Sequence, residues 1–135
     1  NTGSPHYVRF DNLQEIDIDQ EGKTIRYNST YNSEGINVNI AEIKKNLVSM
    51  QTYERGVEAE TFSCGTGTVA VAISSLLDTN QPNGQYEVKI STKGGQLSVR
   101  CKKHEDAFVD IYLIGPSVRV FEGILYFSKD SIALL

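Results

Sequence analysis

The sequence predicts an α+β domain in which an antiparallel, barrel-like β lobe wraps a single central α-helix. Three observations predict it. Most segments alternate apolar and polar residues with the period of a half-buried strand, and several do so in pairs flanking glycine-rich turns. One segment, Thr66 to Leu77, is apolar nearly all round apart from Ser74 and Ser75, which is the pattern of a buried helix. The 135 residues, 39% apolar and 22% charged, suit one ordinary core rather than two.

The elements follow in order. His6-Tyr7-Val8-Arg9-Phe10 has the aromatic and β-branched content of a short strand. Ile16 to Tyr27 fits either a hairpin around Glu21-Gly22-Lys23 or a short helix weakened by Gly22. Gly35 to Ile43 alternates cleanly, Lys44-Lys45-Asn46 reads as a turn, and Leu47 to Glu54 returns antiparallel. After the helix, Thr79 to Gly84 is a turn-rich loop and not a domain boundary. Tyr86 to Ile90 and Leu97 to Cys101 form a hairpin around Lys93-Gly94-Gly95-Gln96. Phe108 to Ile114 and Val118 to Phe127 flank Gly115-Pro116-Ser117 in the same way.

Composition excludes several functions. A net charge of −4 gives no basic field for nucleic acid. The longest apolar-rich stretch is too short to span a bilayer. Two cysteines, Cys64 and Cys101, make neither a disulfide scaffold nor a zinc motif, so a reducing cytoplasm is the expected compartment and no metal is expected. No basic segment followed by an apolar run opens the chain, so no signal peptide is expected. The chain begins at Asn1 and its sole methionine is Met50, which reads as processing or as a fragment of something longer.

The chemistry concentrates around Cys64-Gly65-Thr66-Gly67-Thr68. A cysteine at a glycine-rich turn opening into a helix meets the free N–H groups of the first turn, which favour a thiolate and bind a carboxylate or phosphate. Gly65 and Gly67 permit unusual backbone angles and close approach of a ligand. A buried structural cysteine is the commoner fate of a lone Cys-Gly pair, but Tyr53-Glu54-Arg55-Gly56 upstream reverses those odds. Arg55 suits a carboxylate and Glu54 an ammonium, together a zwitterionic amino acid. His6, fixed behind Gly3-Ser4-Pro5, can orient or activate a substrate near a thiol. Asn37 and Asn39 share the polar face of their strand, either solvated or lining a pocket. Cys101 shares parity with Leu97 and Val99 and reads as core; His104 lies in a charged loop tip without a role.

Assembled, these residues resemble the C-terminal half of diaminopimelate epimerase. The match carries Gly3-Ser4-Pro5-His6, Gly35-Ile36-Asn37, Tyr53-Glu54-Arg55-Gly56, Cys64-Gly65-Thr66-Gly67, Gly94-Gly95 and Gly115-Pro116 in family order. Ser4 stands where many members have a substrate-contacting Asn. The resemblance implies two similar lobes, each a β-barrel around a helix, of which residues 1–135 are the C-terminal one, with the N-terminal lobe of the same protein as partner. It favours the short helix over the hairpin within Ile16 to Tyr27. It implies cofactor-independent inversion at an amino-acid α-carbon between LL- and meso-diaminopimelate, in lysine and cell-wall precursor biosynthesis. Cys64 then matches one of two proton-transferring cysteines, the other lying on the absent lobe. By the same carry-over Arg55 and Asn37 grip the distal carboxylate and Glu54 the distal ammonium. Gly65 and Thr66 supply N–H groups to the α-carboxylate, and His6 with Glu54 tunes proton transfer. A homodimer is compatible with it. Two competing readings are a related two-lobe isomerase or racemase with another substrate and a non-catalytic anion-binding module with a structural Cys64.

Overall fold

The structure, a computed structural model, describes residues 2–124 and 126. Seven strands form one sheet: β1 (His6–Phe10), β2 (Asn37–Lys44), β3 (Leu47–Glu54), β4 (Ala59–Glu60), β5 (Gly84–Thr92), β6 (Gly95–His104) and β7 (Ala107–Ile114). They lie in the order β1-β2-β3-β5-β6-β7, with β4 paired to β3 off this path. Among the described residues two α-helices accompany the sheet, α1 (Ile18–Arg26) and α2 (Gly65–Asp78).

The central helix forces the sheet to curl. Six strands spaced about 4.8 Å apart would span about 24 Å if flat, while a helix is only about 10 Å across. Yet α2 lies in contact with β1, β2, β3, β5, β6 and β7, so the sheet must bend around it. The result is a half-barrel, as the sequence led us to expect, with Val71 and Ala72 of α2 fully buried against Ala41, Val48, Met50, Ile90 and Val99. Burial of each large apolar side chain of this kind contributes roughly 1.5–3 kcal/mol. The wrap is incomplete: Leu77, at the helix's last turn, is 54% exposed.

Strand direction departs from the expected antiparallel pattern at two places. The ladders β2–β3, β3–β4, β5–β6 and β6–β7 are antiparallel, but β1–β2 and β3–β5 are parallel. Both parallel pairs are joined by helical crossovers, α1 for the first and α2 for the second. A crossover longer than a hairpin removes the constraint that neighbouring strands run opposite ways.

The ambiguous stretch before β2 is a helix. Asp17 caps α1 by accepting from the N–H groups of Asp19 and Gln20. Gly22 sits inside it because α1 presses on β3: a Cβ there would stand 2.3 Å from Tyr53 Cβ. On this face Ile18, Ile36, Val38, Ile40 and Tyr53 form a second core cluster. Tyr53 donates its hydroxyl to Glu58 Oε2 at 3.1 Å, and burial, with that bond, pushes its pKa up to about 12. Strand β2 is thus buried on both faces, Val38 and Ile40 toward α1, Asn37, Asn39 and Ala41 toward α2.

The hairpin around Lys93 and Gly94 forms as expected, with Thr92 opposite Gly95. The expected strand Val118 to Phe127 does not: residues 118–124 and 126 adopt no strand, and 125 and 127 lie outside the described residues. Pro116 interrupts the chain without an N–H to offer a ladder, and Val118, Val120, Phe121 and Ile124 stand exposed. β7 also carries a bulge. Val109 pairs with Lys102 and Tyr112 with Arg100, so Asp110 and Ile111 together oppose Cys101, with Asp110 at a φ of 52°.

Gly22 gives a direct test of the α1 packing. In an open helix Gly→Ala stabilises by about 1 kcal/mol, but here the added methyl meets the rigid stem of Tyr53. Gly22→Ala should therefore lose a net ~1–2 kcal/mol, read as a lowered urea midpoint; an unchanged or raised midpoint would disprove the close contact.

Candidate active site

The polar faces of β1 and β2 converge on the first turn of α2. His6 is opposite Asn37 and Val8 opposite Asn39 in the parallel ladder, so His6, Asn37 and Asn39 share the face that meets the helix. Further along the same strands that face becomes the apolar core of Val8, Phe10 and Ala41. The site is therefore the polar end of a gradient running along the inside of the sheet.

Cys64 is the N-cap of α2, in extended conformation and with no side-chain capping bond. Its carbonyl accepts from Thr68 N and Thr68 Oγ1, both at 2.8 Å. The N–H groups of the next residues open toward the site, since a helix's first turn has no intrahelical acceptors. Cys64 is buried at 8% exposure while Gly65 beside it is exposed. Thr66 Oγ1 lies 3.6 Å from Cys64 Sγ, 2.9 Å from His6 Nε2 and 3.1 Å from Ser4 Oγ. Ser4 Oγ is in turn 2.9 Å from His6 Nε2. The structure thus brings Ser4, His6, Cys64 and Thr66 into one hydrogen-bonded cluster.

The glycines act differently from one another, and not through special backbone angles. Gly65 and Gly67 are both ordinary helical residues. Gly67 is needed for closeness: a Cβ there would stand 2.6 Å from Asn39 Oδ1 and 3.2 Å from His6 Cε1. The positive φ values fall elsewhere, at Gly56 (91°) among others. That residue reverses the chain immediately after Arg55, where Glu58 N bonds back to Glu54 O at 2.8 Å.

Asn37 links the two halves of the site. Its Nδ2 donates to Ser4 Oγ and Pro5 O, each at 3.1 Å, and its Oδ1 accepts from Arg55 N at 2.9 Å. The Arg55 guanidinium is anchored on Glu34 O at 2.9 Å. Glu54 accepts from Thr61 Oγ1 at 2.9 Å and acts on His6 through space. The charged pair therefore sits at the rim, joined to the cysteine cluster through Asn37.

Sequence reasoning left Asn39 undecided and overlooked Thr52 and Thr2. Asn39 is fully buried and bonded to His6, Tyr7 and Thr52; two asparagines at period two on a strand carrying Val38 and Ile40 were its only signal. Thr2 donates to Thr66 O at 2.7 Å and steadies the helix turn. Cys101 is core, 2% exposed, with burial pushing its thiol up. Both cysteines are free thiols. Among the described residues no cluster of three metal-ligating side chains occurs, and no helix is long and apolar enough to cross a membrane.

Residues 1–120 match the sequence model of the family described as diaminopimelate epimerase. Curated relatives include the diaminopimelate epimerases of Flavobacterium psychrophilum, 44% identical over 90% of this chain and 48% of its own length, and Archaeoglobus fulgidus, 42% identical over 93% of this chain and 41% of its own length. The chain spans about half the length of the curated relatives it matches. Similar solved structures include a predicted epimerase from Pseudomonas aeruginosa, with a TM-score of 0.58 at 10% identity over 76% of this chain and 34% of that one. A phenazine biosynthesis protein of the PhzF family from Bacillus anthracis has a TM-score of 0.52 at 19% identity, over 78% and 33%. At such identities these two structures speak for the fold alone.

The site has a pH signature. Burial holds the His6 pKa below its ordinary 6.5; among the neighbouring side chains Glu54 opposes this and Arg55 adds a smaller lowering effect. The unfolded chain then takes up a proton before the folded one does. His6 leaves stability intact above its unfolded pKa, and stability is lost as pH falls from about 6.5 through the folded pKa. The urea midpoint should drop between about pH 7.5 and 5.5, and drop less in His6→Gln; equal slopes in both proteins would exclude His6 as the cause.

Proposed function

This chain belongs to the diaminopimelate epimerase family, and on that premise we propose that residues 1–135 form the C-terminal lobe of a cytoplasmic epimerase interconverting LL- and meso-diaminopimelate. The observation that carries the reading is the placement of Cys64 at the uncapped start of α2, within reach of Thr66 and the His6 cluster. Such a sulfur can serve as a base only where its charge is met by fixed donors rather than by water.

In the proposed reaction the Cys64 thiolate forms an S–H bond with the α-proton, and the C–H electron pair passes to the α-carbon. A second cysteine, on an N-terminal lobe, delivers its proton to the opposite face and becomes the thiolate. Inversion is complete with no net change in atoms or charge. The α-proton is weakly acidic, so the carboxylate that shares the developing charge needs preorganised partners. The N–H groups of Gly65 and Thr66 supply them from this side. Asn37 and Arg55 hold the distal carboxylate, Glu54 the distal ammonium, and Ser4 lies beside His6 at the reacting end. Exposed Val118, Val120 and Phe121 provide apolar surface on which a second lobe can close and exclude water.

The test uses the reading frame including whatever is encoded upstream of Asn1. Incubated with LL-diaminopimelate in deuterated water, that protein should exchange the α-proton, and Cys64→Ala should slow exchange at least ~10²-fold. The 135-residue chain alone should not turn over. Exchange that survives in the alanine variant, or turnover by the isolated chain, would refute the two-cysteine, two-lobe reading.

A further inference from the structure

Asn39 has no part in the reaction just described, yet it is among the most completely enclosed polar side chains of the lobe. Its orientation is not open to choice. Nδ2 lies 3.1 Å from Tyr7 O, a carbonyl that can only accept, so the amide nitrogen must point there. Oδ1 accepts from Thr52 Oγ1 at 3.0 Å, across the β2–β3 ladder. The second Nδ2 hydrogen then points at His6 Nδ1, 3.0 Å away.

That contact decides the state of His6. A ring nitrogen facing an N–H donor must present its lone pair, so the neutral ring carries its proton on Nε2. Nε2–H faces Thr66 Oγ1 and Ser4 Oγ, each at 2.9 Å. With Ser4 Oγ accepting from Asn37 Nδ2 and donating its own proton to Thr66 Oγ1 at 3.1 Å, Thr66 Oγ1 accepts from His6 and Ser4, and its hydroxyl proton goes to the sulfur of Cys64 at 3.6 Å. We propose that Asn39 is a positioning residue for Cys64: it fixes His6 as an Nε2–H donor, so that the chain Asn39, His6, Thr66 donates in one direction and ends on Cys64 Sγ. This rests on the proposed function, because it matters only if the sulfur must be held ready to accept a proton. With an acceptor at position 39 the chain runs backwards. His6 would carry its proton on Nδ1, Nε2 would accept from Thr66, and no proton would face the sulfur.

Both ends of the chain can be read without substrate. His6 and His104 are the only histidines, so ¹⁵N-histidine labelling with long-range ¹H–¹⁵N spectra at about neutral pH resolves the ring tautomer, with His104→Asn for assignment. The unaltered chain should show His6 as Nε2–H. Asn39→Asp should convert it to Nδ1–H. It should also slow carbamidomethylation of Cys64 by iodoacetamide about tenfold, followed by mass of the Cys64 peptide. An Nδ1–H or doubly protonated His6 in the unaltered chain overturns the proposal even if the variant fails to fold. So does a folded Asn39→Asp that keeps Nε2–H, or one that switches tautomer with no change in Cys64 reactivity. Failure to exchange the diaminopimelate α-proton, with these readouts as expected, would count against the proposed reaction and not against the relay.

Discussion

A single missing methyl group, at Gly67, sets how closely α2 can lie on the polar face of β1 and β2. With Asn39 Oδ1 only 2.6 Å from where its Cβ would be, any side chain would lift the first turn away from the sheet. The N-cap would move with it, since Cys64 O is bonded to Thr68 on the same turn. The lift would also open the 2.9 Å contact between His6 and Thr66. Helix placement, sulfur position and ring orientation therefore share one steric origin. This is why the second glycine of Cys-Gly-Thr-Gly belongs to the site although it has no side chain to offer a ligand.

Burying so many polar groups beside a helix end is costly unless each is satisfied. Here each amide has defined partners: Asn37 spans Ser4, Pro5 and Arg55, and Asn39 spans His6, Tyr7 and Thr52. A satisfied network in low dielectric is rigid, because every rotation breaks a bond that water cannot replace. The apolar half of the same face, from Val8 and Phe10 to Met50 and Val99, secures the helix beyond the site. Packing fixes the axis of α2, and hydrogen bonds fix what its first turn presents.

Much of this was legible in the residues. The all-round apolar run from Val69 to Leu77 announced α2, and Lys93-Gly94 announced the hairpin, because both signals are local. The grouping of Ser4, His6, Cys64 and Thr66 was implied by the resemblance to the epimerase family. What was not legible depends on contacts distant in sequence. Strand alternation is identical in parallel and antiparallel ladders, so β1–β2 and β3–β5 gave no sign of their direction. Gly22 read as a weakness in α1 because Tyr53, which requires it, lies 31 positions away. Val118 to Phe127 reads as a strand, but its described residues, 118–124 and 126, join no ladder. Asn39 was ambiguous for a related reason: a polar residue at period two faces either water or a polar interior, and only the position of α2 distinguishes them.

The bulge in β7 bears on how the lobe behaves in company. Among the described residues β7 and β1 end the strand path of the sheet, and a long, regular edge invites another chain to pair along it. β7 is eight residues long and apolar at Val109, Ile111 and Leu113, the composition of an aggregation hazard. The left-handed Asp110 breaks its run in the middle. A straight strand arriving from a second molecule could match the register on one side of that residue or the other, but not across it. The irregularity opposite Cys101 thus acts as a guard on an otherwise adhesive edge.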